Sequence, residues 1–320
     1  MSDLSMRRAR APANFSREDI MALDPARVAD AMAAALGMVS RGAAVAPIRA
    51  HIDLGGGAGT FLISGVLTDF DVLTVKVINV RPQNPKAGLE RLQGALTAFE
   101  SSTGRPLATL DARAATEVRT SACSAVSVRL LARPDATVLT IFGTGPQAAA
   151  HLRAMTHERE FGEIRIVGRN QEAARDLAAR HAGARAVSAD EALRGAHVVV
   201  TATNSTSPLF SASAVEPGTH VAMVGGGSAA ASEVEPRLLA RAAAIRVDHR
   251  PTCLAESGEI AGALRAGLIE ASAVRELGEV VIGQAPGRVS PDDITIYKAV
   301  GNGTQDAALA ALLLGMGPRS

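Results

Sequence analysis

The feature that most constrains this fold is a strand that runs into a glycine turn and then a helix, in VLTIFGTGPQAAAHL. Gly143 permits a tight turn, Gly145 lets the backbone approach a bound group, and the small Ala148 lets helix and strand pack closely. Pro146 and Gln147 open the helix, whose N-terminus attracts phosphate groups. The motif follows an apolar strand and opens a helix, which is the context of a dinucleotide-binding turn.

Around this turn, short apolar strands alternate with helices, as expected for a doubly wound parallel sheet. We assign residues 135–287 to an NAD(P)-binding, Rossmann-type domain. The chain before it contains a helix followed by β-rich segments over 46–110 and a second helix, and the tail carries one strand and a final helix. We assign 1–134 together with 288–320 to a second, smaller α/β domain. The predicted fold class is therefore α/β with two domains.

The end of the second strand of the Rossmann unit bears on the choice of cofactor. It reads IVGRN, so Gly168, Arg169 and Asn170 stand where a carboxylate would bind a ribose 2′-hydroxyl. An arginine there can pair with a 2′-phosphate instead. We expect Arg169 and Asn170 to contact the cofactor and NADP(H) to be preferred, with NAD(H) as the second option. The alternative for Arg169 is an ordinary exposed loop residue.

Two later strand ends also point towards the cofactor. Thr203 and Asn204 follow one strand, and Val224 ends the next before the glycine run VGGGSAAA. The carboxyl ends of parallel strands form the ligand-binding edge of such a sheet. We expect these three residues at the cofactor and Gly227 at the substrate. The alternative is a loop whose glycines serve only close packing.

Composition excludes several classes of function. The formal net charge is +1, with one Tyr and no Trp, which leaves little material for nucleic-acid binding. No apolar run reaches the roughly 18 residues of a membrane span, and the N-terminus lacks a signal-peptide core. Cys123 and Cys253 form neither a disulfide framework nor a metal-site spacing, so we expect no metal and a cytoplasmic protein.

Lysine is rare in this chain. Of the 33 basic residues only Lys76, Lys86 and Lys298 are lysines, and the rest are arginines. An arginine stays charged, whereas a buried lysine can lose its proton, so a retained lysine indicates a place where an amine is needed.

Four separated motifs, VKVINVRPQN, EVRTSACSA, GTGPQAAAHL and DDITIYKAVGNGTQDAALAALL, occur in this order. Together they resemble the ornithine cyclodeaminase/mu-crystallin family from about Asp24 to the end. The resemblance implies a homodimer in which the smaller domain holds both substrate and dimer interface. It also implies action on small amino acids or imines by cyclodeamination, imine reduction or amino-acid dehydrogenation.

The resemblance further implies that Arg49, Lys76 and Arg119 bind the substrate carboxylate. Two guanidinium groups and an amine suit that task, and Lys76 can also exchange a proton with the imine nitrogen. Each residue also has a plainer interpretation. Lys76 could be a strand lysine that points to water, Arg119 a helix-surface residue and Arg49 an edge-strand charge.

The chain departs from the ornithine-cyclising members at two positions. Gly227 stands in place of their catalytic aspartate, and Phe61 in place of the carboxylate that receives the side-chain amine. Without those acids, the distal ammonium of ornithine would be buried unpaired, which is costly. Glu256 and Glu259 are interpreted as a helix-surface pair, and His151 and His220 as structural residues.

These observations favour an NAD(P)H-dependent oxidoreductase that reduces a small imino acid, such as a cyclic one, or reversibly dehydrogenates a small amino acid, with Lys76 as the catalytic residue. The first alternative is an ornithine cyclodeaminase that makes proline and ammonia. The second is a non-catalytic NADP(H)-binding protein. The expected partner is a small amino or imino acid, with neither nucleic acid nor membrane.

Overall fold

Two β-sheets organise the chain in the computed structural model, which describes residues 11–225 and 231–318. The first sheet has strand order β1-β7-β6-β5-β4-β2, with β3 paired to β4; β1 is parallel to β7 and the other pairs are antiparallel. Its strands are β1 (Ala13–Phe15), β2 (Ala44–Val45), β3 (Ala50–Gly55), β4 (Ala58–Leu67), β5 (Val72–Val80), β6 (Leu92–Glu100) and β7 (Pro106–Asp111).

The second sheet is parallel throughout, in the order β10-β9-β8-β11-β12-β15-β13-β14. Its strands are β8 (Val138–Phe142), β9 (Glu163–Val167), β10 (Ala184–Ala186), β11 (Val198–Thr201), β12 (His220–Met223), β13 (Ala244–Val247), β14 (Val274–Glu276) and β15 (Thr295–Lys298). The central strands are buried on both faces, as parallel sheets require. The predicted Rossmann-type architecture is confirmed.

The helices connect and cover these sheets. They are α1 (Arg17–Met21), α2 (Pro25–Ser40), α3 (Ala112–Leu131), α4 (Pro146–Glu158), α5 (Gln171–Ala178), α6 (Ala189–Ala192), α7 (Arg237–Arg241), α8 (Arg250–Glu256), α9 (Gly258–Arg265), α10 (Leu277–Val281) and α11 (Gly303–Leu314). Helix α2 begins as its sequence predicts: Asp24 accepts a hydrogen bond from the backbone of Ala26, and Pro25 occupies the first turn.

Helix α3 lies between the two sheets. It contacts β6 of the first sheet and β12 and β15 of the second, and it packs against helices α2 and α4. Most of its residues are buried, and nearly all of those are Ala, Ser, Thr, Cys or Val, whose small side chains let neighbouring elements approach closely. Two histidines, one on β12 and one on α4, form hydrogen-bonding contacts with serines of α3. His220 contacts Ser127 at 3.0 Å and His151 contacts Ser124 at 3.0 Å. Both are buried, as the structural interpretation of them predicts.

The tail is divided between the two units, which differs from the assignment of all of 288–320 to the smaller domain. Strand β15 pairs with β12 and β13 and so belongs to the parallel sheet. Only α11 returns, to pack on α2, β4 and β5. The sequence could not predict this, because β15 has only four residues, and so short an apolar run does not indicate which strands it lies between. We therefore propose that the chain crosses back near residue 299.

A pair of glycines lets α11 approach the first sheet. A Cβ on Gly65 would lie 2.2 Å from the carbonyl carbon of Gly303, and one on Gly303 would lie 2.1 Å from that of Ser64. Thr74 donates a hydrogen bond to the Gly303 carbonyl at 3.0 Å. The start of α11 is therefore held directly against β4 and β5, close to Lys76.

Candidate functional site

The glycine turn has the geometry that its sequence predicts. Gly143 has φ of +126°, and a Cβ there would lie 2.4 Å from the Ala202 carbonyl oxygen, so a larger residue is excluded. Gly145 is the N-cap of α4, and a Cβ on it would meet nothing within 4 Å. Ala148 is fully buried. The backbone at Gly145 is thus open to an approaching group at a helix N-terminus, which fits a dinucleotide pyrophosphate.

Two adjoining cavities lie at this edge of the parallel sheet. The larger, of about 370 Å³, is beside the glycine turn and contains Gly145, Pro146, Gln147, Thr203 and Asn204 in its walls. The smaller, of about 200 Å³, is bounded by the first sheet, α3 and the segment after β15. The two share five lining residues: Val80, Leu92, Thr116, Gln147 and Val224. A ligand in the larger cavity would therefore contact a ligand in the smaller one.

The three predicted cations all line the smaller cavity: Arg49, Lys76 and Arg119. Apolar side chains supply much of the rest of its wall, namely Phe61, Ile63, Ile78, Val80 and Leu92. Lys76 faces inward because alternate residues of β5, from Val72 to Ile78, are buried. The interpretation of Lys76 as a water-facing strand residue is wrong, since its side chain is 1% exposed.

Asp306 was not identified from the sequence, and it contacts two of these cations, Lys76 and Arg119. Its carboxylate oxygens are each 2.8 Å from the Lys76 Nζ, and Oδ1 is 3.7 Å from the Arg119 Nε. Thr116 Oγ1 accepts a third contact from Nζ at 3.3 Å. The signal was present in the tail motif GNGTQDAALAALL, where an aspartate opens an otherwise apolar helix. It could not be paired with Lys76 because 230 residues separate them.

The surroundings of Lys76 bring its pKa into the physiological range. Burial is the main cause of a fall in this pKa from 10.5 to about 8; Asp306 opposes the fall, and the charges of Arg119 and Arg49 reinforce it. An amine with a pKa near 8 can both donate and accept a proton at neutral pH.

Arg119 is fixed by a chain of buried polar groups. Its Nη1 donates to Gln305 Oε1 at 2.6 Å, and Gln305 Nε2 donates to Asp248 at 3.0 Å. The left-handed Gly301, with φ of +86°, packs against the guanidinium, where a Cβ would come within 2.4 Å. The interpretation of Arg119 as a helix-surface residue is therefore wrong, because its side chain is 6% exposed.

Arg49 reaches the cavity rim from the segment before β3. Its Nε donates to Glu256 at 2.6 Å, and its guanidinium lies over the Phe61 ring at 4.5 Å. Arg49 does precede the edge strand β3, but its side chain is only 11% exposed and pairs with Glu256, so it is not the solvent-facing edge charge of that interpretation. The surface-pair interpretation of the two glutamates is wrong. Glu256 is an ion-pair partner of Arg49, and Glu259 is fully buried beside Lys298.

The remaining predicted residues fall into three groups. Thr203, Asn204 and Val224 line the larger cavity. Arg169 and Asn170 are exposed on the loop after β9 and line neither cavity, and the Asn170 side chain caps α5 through Glu172 and Ala173. Gly168 nevertheless adjoins the glycine turn, since a Cβ there would lie 2.5 Å from Thr144. Gly227 lies outside the described residues.

The fold and this site define a Rossmann-type α/β protein whose glycine turn adjoins a small cavity lined with cations. Residues 17–314 match the ornithine cyclodeaminase/mu-crystallin family, and the chain belongs to that family. The resemblance noted from its four motifs is confirmed.

Similar proteins include reductases and a dehydrogenase. A Δ1-pyrroline-2-carboxylate reductase of Bacillus cereus is 32% identical over 277 residues, 84% of this chain and 85% of that protein. The structure of Thermococcus litoralis Δ1-pyrroline-2-carboxylate reductase in complex with NADH and L-proline superposes with a TM-score of 0.90 at 27% identity, covering 96% and 100% of the two chains. An archaeal alanine dehydrogenase dimer with bound NAD superposes with a TM-score of 0.88 at 27% identity, covering 95% of each chain.

Within residues 11–225 and 231–318, no helix combines the length and the apolar character that crossing a bilayer requires.

Proposed function

We propose that this protein is an NAD(P)H-dependent imine reductase that converts a small cyclic imino acid into the corresponding amino acid. One observation carries the proposal: Arg49, Lys76 and Arg119 line a small, otherwise largely apolar cavity that shares walls with the cavity at the glycine turn. Such a cavity suits a ligand with one carboxylate and an apolar ring. The names of the reductase relatives support the same class of substrate.

In the proposed mechanism, Arg49 and Arg119 bind the substrate carboxylate by charge-assisted hydrogen bonds. Their positions are set by Glu256 and Gln305, so the substrate is oriented without reorganisation of the site. A reduced nicotinamide held in the larger cavity would supply the hydride for the imine carbon. The Lys76 ammonium donates a proton to the imine nitrogen, and Asp306 stabilises the ammonium before that transfer.

The cofactor would be held by residues of the larger cavity. The N-terminus of α4 at Gly145 and Pro146 would bind the pyrophosphate, and Thr203, Asn204 and Val224 would lie at the nicotinamide. We propose that NADP(H) is preferred because Arg169, rather than an acid, follows β9 beside the turn. Arg169→Ser should lower kcat/KM for NADPH by about tenfold or more and leave that for NADH within about twofold, since a phosphate–arginine contact is worth roughly 1.5–3 kcal/mol.

We infer that the protein is a homodimer that pairs through the outer face of the first sheet. Several apolar side chains on that face are exposed: Ile52 (49%), Leu54 (55%), Leu62 (41%) and Val75 (40%). An apolar sheet face of this kind is typical of a protein–protein interface. The archaeal alanine dehydrogenase, of similar fold, is a dimer.

The decisive assay follows NADPH oxidation with pyrroline-2-carboxylate and piperideine-2-carboxylate, and with pyruvate plus ammonia for the amino-acid dehydrogenase reaction. Turnover of a cyclic imine that is lost in Lys76→Ala, with NADPH affinity retained, would support the proposal. Formation of proline and ammonia from ornithine without net cofactor change would support the cyclodeaminase instead. Tight NADPH binding without turnover of any of these would indicate the non-catalytic alternative.

A further inference from the structure

Beside the larger cavity, a buried carboxylate ties together the ends of two central strands. Glu233 is fully buried, and its carboxylate accepts four hydrogen bonds. Oε1 accepts from the backbone N–H and the hydroxyl of Thr203, each at 2.6 Å. Oε2 accepts from the Thr201 hydroxyl at 2.7 Å and the Gly225 N–H at 2.8 Å. The end of β11 is thereby linked to the residues that follow β12.

Gly225 is held from its other side by a buried lysine. Lys298 Nζ donates to the Gly225 carbonyl oxygen at 2.6 Å and pairs with Glu259 at 3.2 Å. Glu259 in turn accepts a hydrogen bond from the Glu233 N–H at 3.0 Å. Both members of the Lys298–Glu259 pair are at most 1% exposed. Since the N–H and the carbonyl of Gly225 are both bound, the chain there has little freedom to shift.

The residues held in this way adjoin one of the places where the two cavities meet. Gly225 and Thr203 line the larger cavity, and Val224, next to Gly225, lines both. A Cβ on Gly225 would lie 2.4 Å from the Glu233 carboxylate, so glycine allows this close approach. The wall against which cofactor and substrate would meet is therefore fixed by a carboxylate that lines neither cavity.

We propose that Glu233 is a positioning residue for imine reduction, which it promotes by fixing Thr203 and the Val224–Gly225 segment at the boundary between cofactor and substrate. The proposal rests on the reductase function proposed above. A small displacement of this wall would alter the distance between the reacting groups more than it would alter affinity, because most binding contacts lie elsewhere in the two cavities.

The chemistry of the site makes Glu233→Gln a sharp perturbation. Each carboxylate oxygen accepts from one backbone N–H, that of Thr203 or that of Gly225. A glutamine has the same size but offers only one acceptor oxygen, and its NH₂ group would face the other backbone donor. The threonine hydroxyls that bond to Glu233 can rotate away from the new NH₂ group, whereas a backbone N–H cannot. Either the segment at Thr203 or the segment at Gly225 must therefore move.

We expect Glu233→Gln to lower kcat at least tenfold while the KM for the imine and the Kd for NADPH change less than threefold. The deuterium isotope effect on kcat, measured with NADPH deuterated at the transferred position, should increase. Without ligands, amide hydrogen exchange at Thr203 and Gly225 should accelerate at least tenfold. If Glu233→Gln does not fold, Thr201→Val removes one hydrogen-bond donor to Glu233 at nearly constant size. This variant should show a smaller fall in kcat and a smaller acceleration of amide exchange.

Asp71→Asn is the matched control. Asp71 is also buried, at 4% exposure, and accepts hydrogen bonds from the Ser101 hydroxyl and from the N–H and hydroxyl of Ser102, but it lies outside both cavities. It should lose stability without losing kcat. The proposal would be overturned if Glu233→Gln had the same kcat and the same amide exchange rates at Thr203 and Gly225 as the wild type. If the wild type reduces no imine, the reductase function fails and the effect on kcat fails with it. Amide exchange at Thr203 and Gly225 then still tests whether Glu233 fixes this wall, and unaccelerated exchange in Glu233→Gln would refute that.

Discussion

The buried pair of Lys76 and Asp306 yields the sharpest expectation about catalysis. Asp306→Asn removes the negative charge 2.8 Å from the Lys76 Nζ and leaves Arg119 beside it. Arginine does not deprotonate in proteins, so the repulsion is relieved by loss of the Lys76 proton. Removing one partner of a buried ion pair costs about 3–5 kcal/mol of stability, because it leaves an uncompensated buried charge, and loss of the Lys76 proton avoids part of that cost.

From a starting pKa of about 8, the pKa of Lys76 would fall further in the variant, because burial and Arg119 lower it and Asp306 no longer opposes them. At pH 7 a smaller fraction of Lys76 would then carry a proton than in the wild type. Imine reduction requires the protonated lysine as acid, so the wild-type rate is high below pH 8 and falls above it. In the variant this fall moves to lower pH, and kcat/KM at pH 7 decreases at least tenfold.

The assay is the pH dependence of kcat/KM between pH 5 and 10 with one cyclic imine and NADPH. The substrate's own ionisation affects wild type and variant equally, so the difference between the two profiles reports the enzyme group. NADPH affinity should be unchanged, and Asp71→Asn should keep the wild-type profile. An Asp306→Asn profile with the same inflection as the wild type would refute the assigned role of Asp306.

Three further expectations concern stability and assembly. Gly303→Ala should destabilise the fold by about 1–3 kcal/mol or more in urea unfolding, because its Cβ would lie 2.1 Å from the carbonyl carbon of Ser64. Gly162→Ala controls for loss of a glycine, since a Cβ there would meet only the Thr137 carbonyl oxygen, at 3.9 Å. Burial lowers the pKa of His151 from 6.5 to about 4, so the unfolded chain takes up a proton that the folded chain does not, and the free energy of unfolding falls as the pH drops from 6.5 to 4. Between pH 6.5 and 5, the free energy of unfolding of His151→Gln should therefore decrease by about 1.5 kcal/mol less than that of the wild type. An equal decrease in the two proteins would contradict this. Val75→Asp should convert the proposed dimer into a monomer, measured by light scattering after size exclusion, whereas a substitution of the exposed Val289 should not. A dimer that persists in Val75→Asp would exclude this face.

Local sequence patterns determined the glycine turn, the strand–helix alternation and the cap of α2, because each depends on residues within a few positions of one another. The family resemblance, rather than these local patterns, indicated Arg49, Lys76 and Arg119, and the chain does belong to that family. The rarity of lysine was informative too: Lys76 and Lys298 are both buried in ion pairs, and Lys86 is exposed.

Only the tertiary structure decided which charges meet. Asp306, Glu256 and Glu233 each gain their role from a partner on a different element, and Asp306 and Glu256 lie more than 200 residues from Lys76 and Arg49. The insertion of β15 between β12 and β13, and the approach of α11 across Gly65 and Gly303, bring these groups together. Periodicity records which face of an element is buried but not what packs against it, so such pairings depend on the assembled fold.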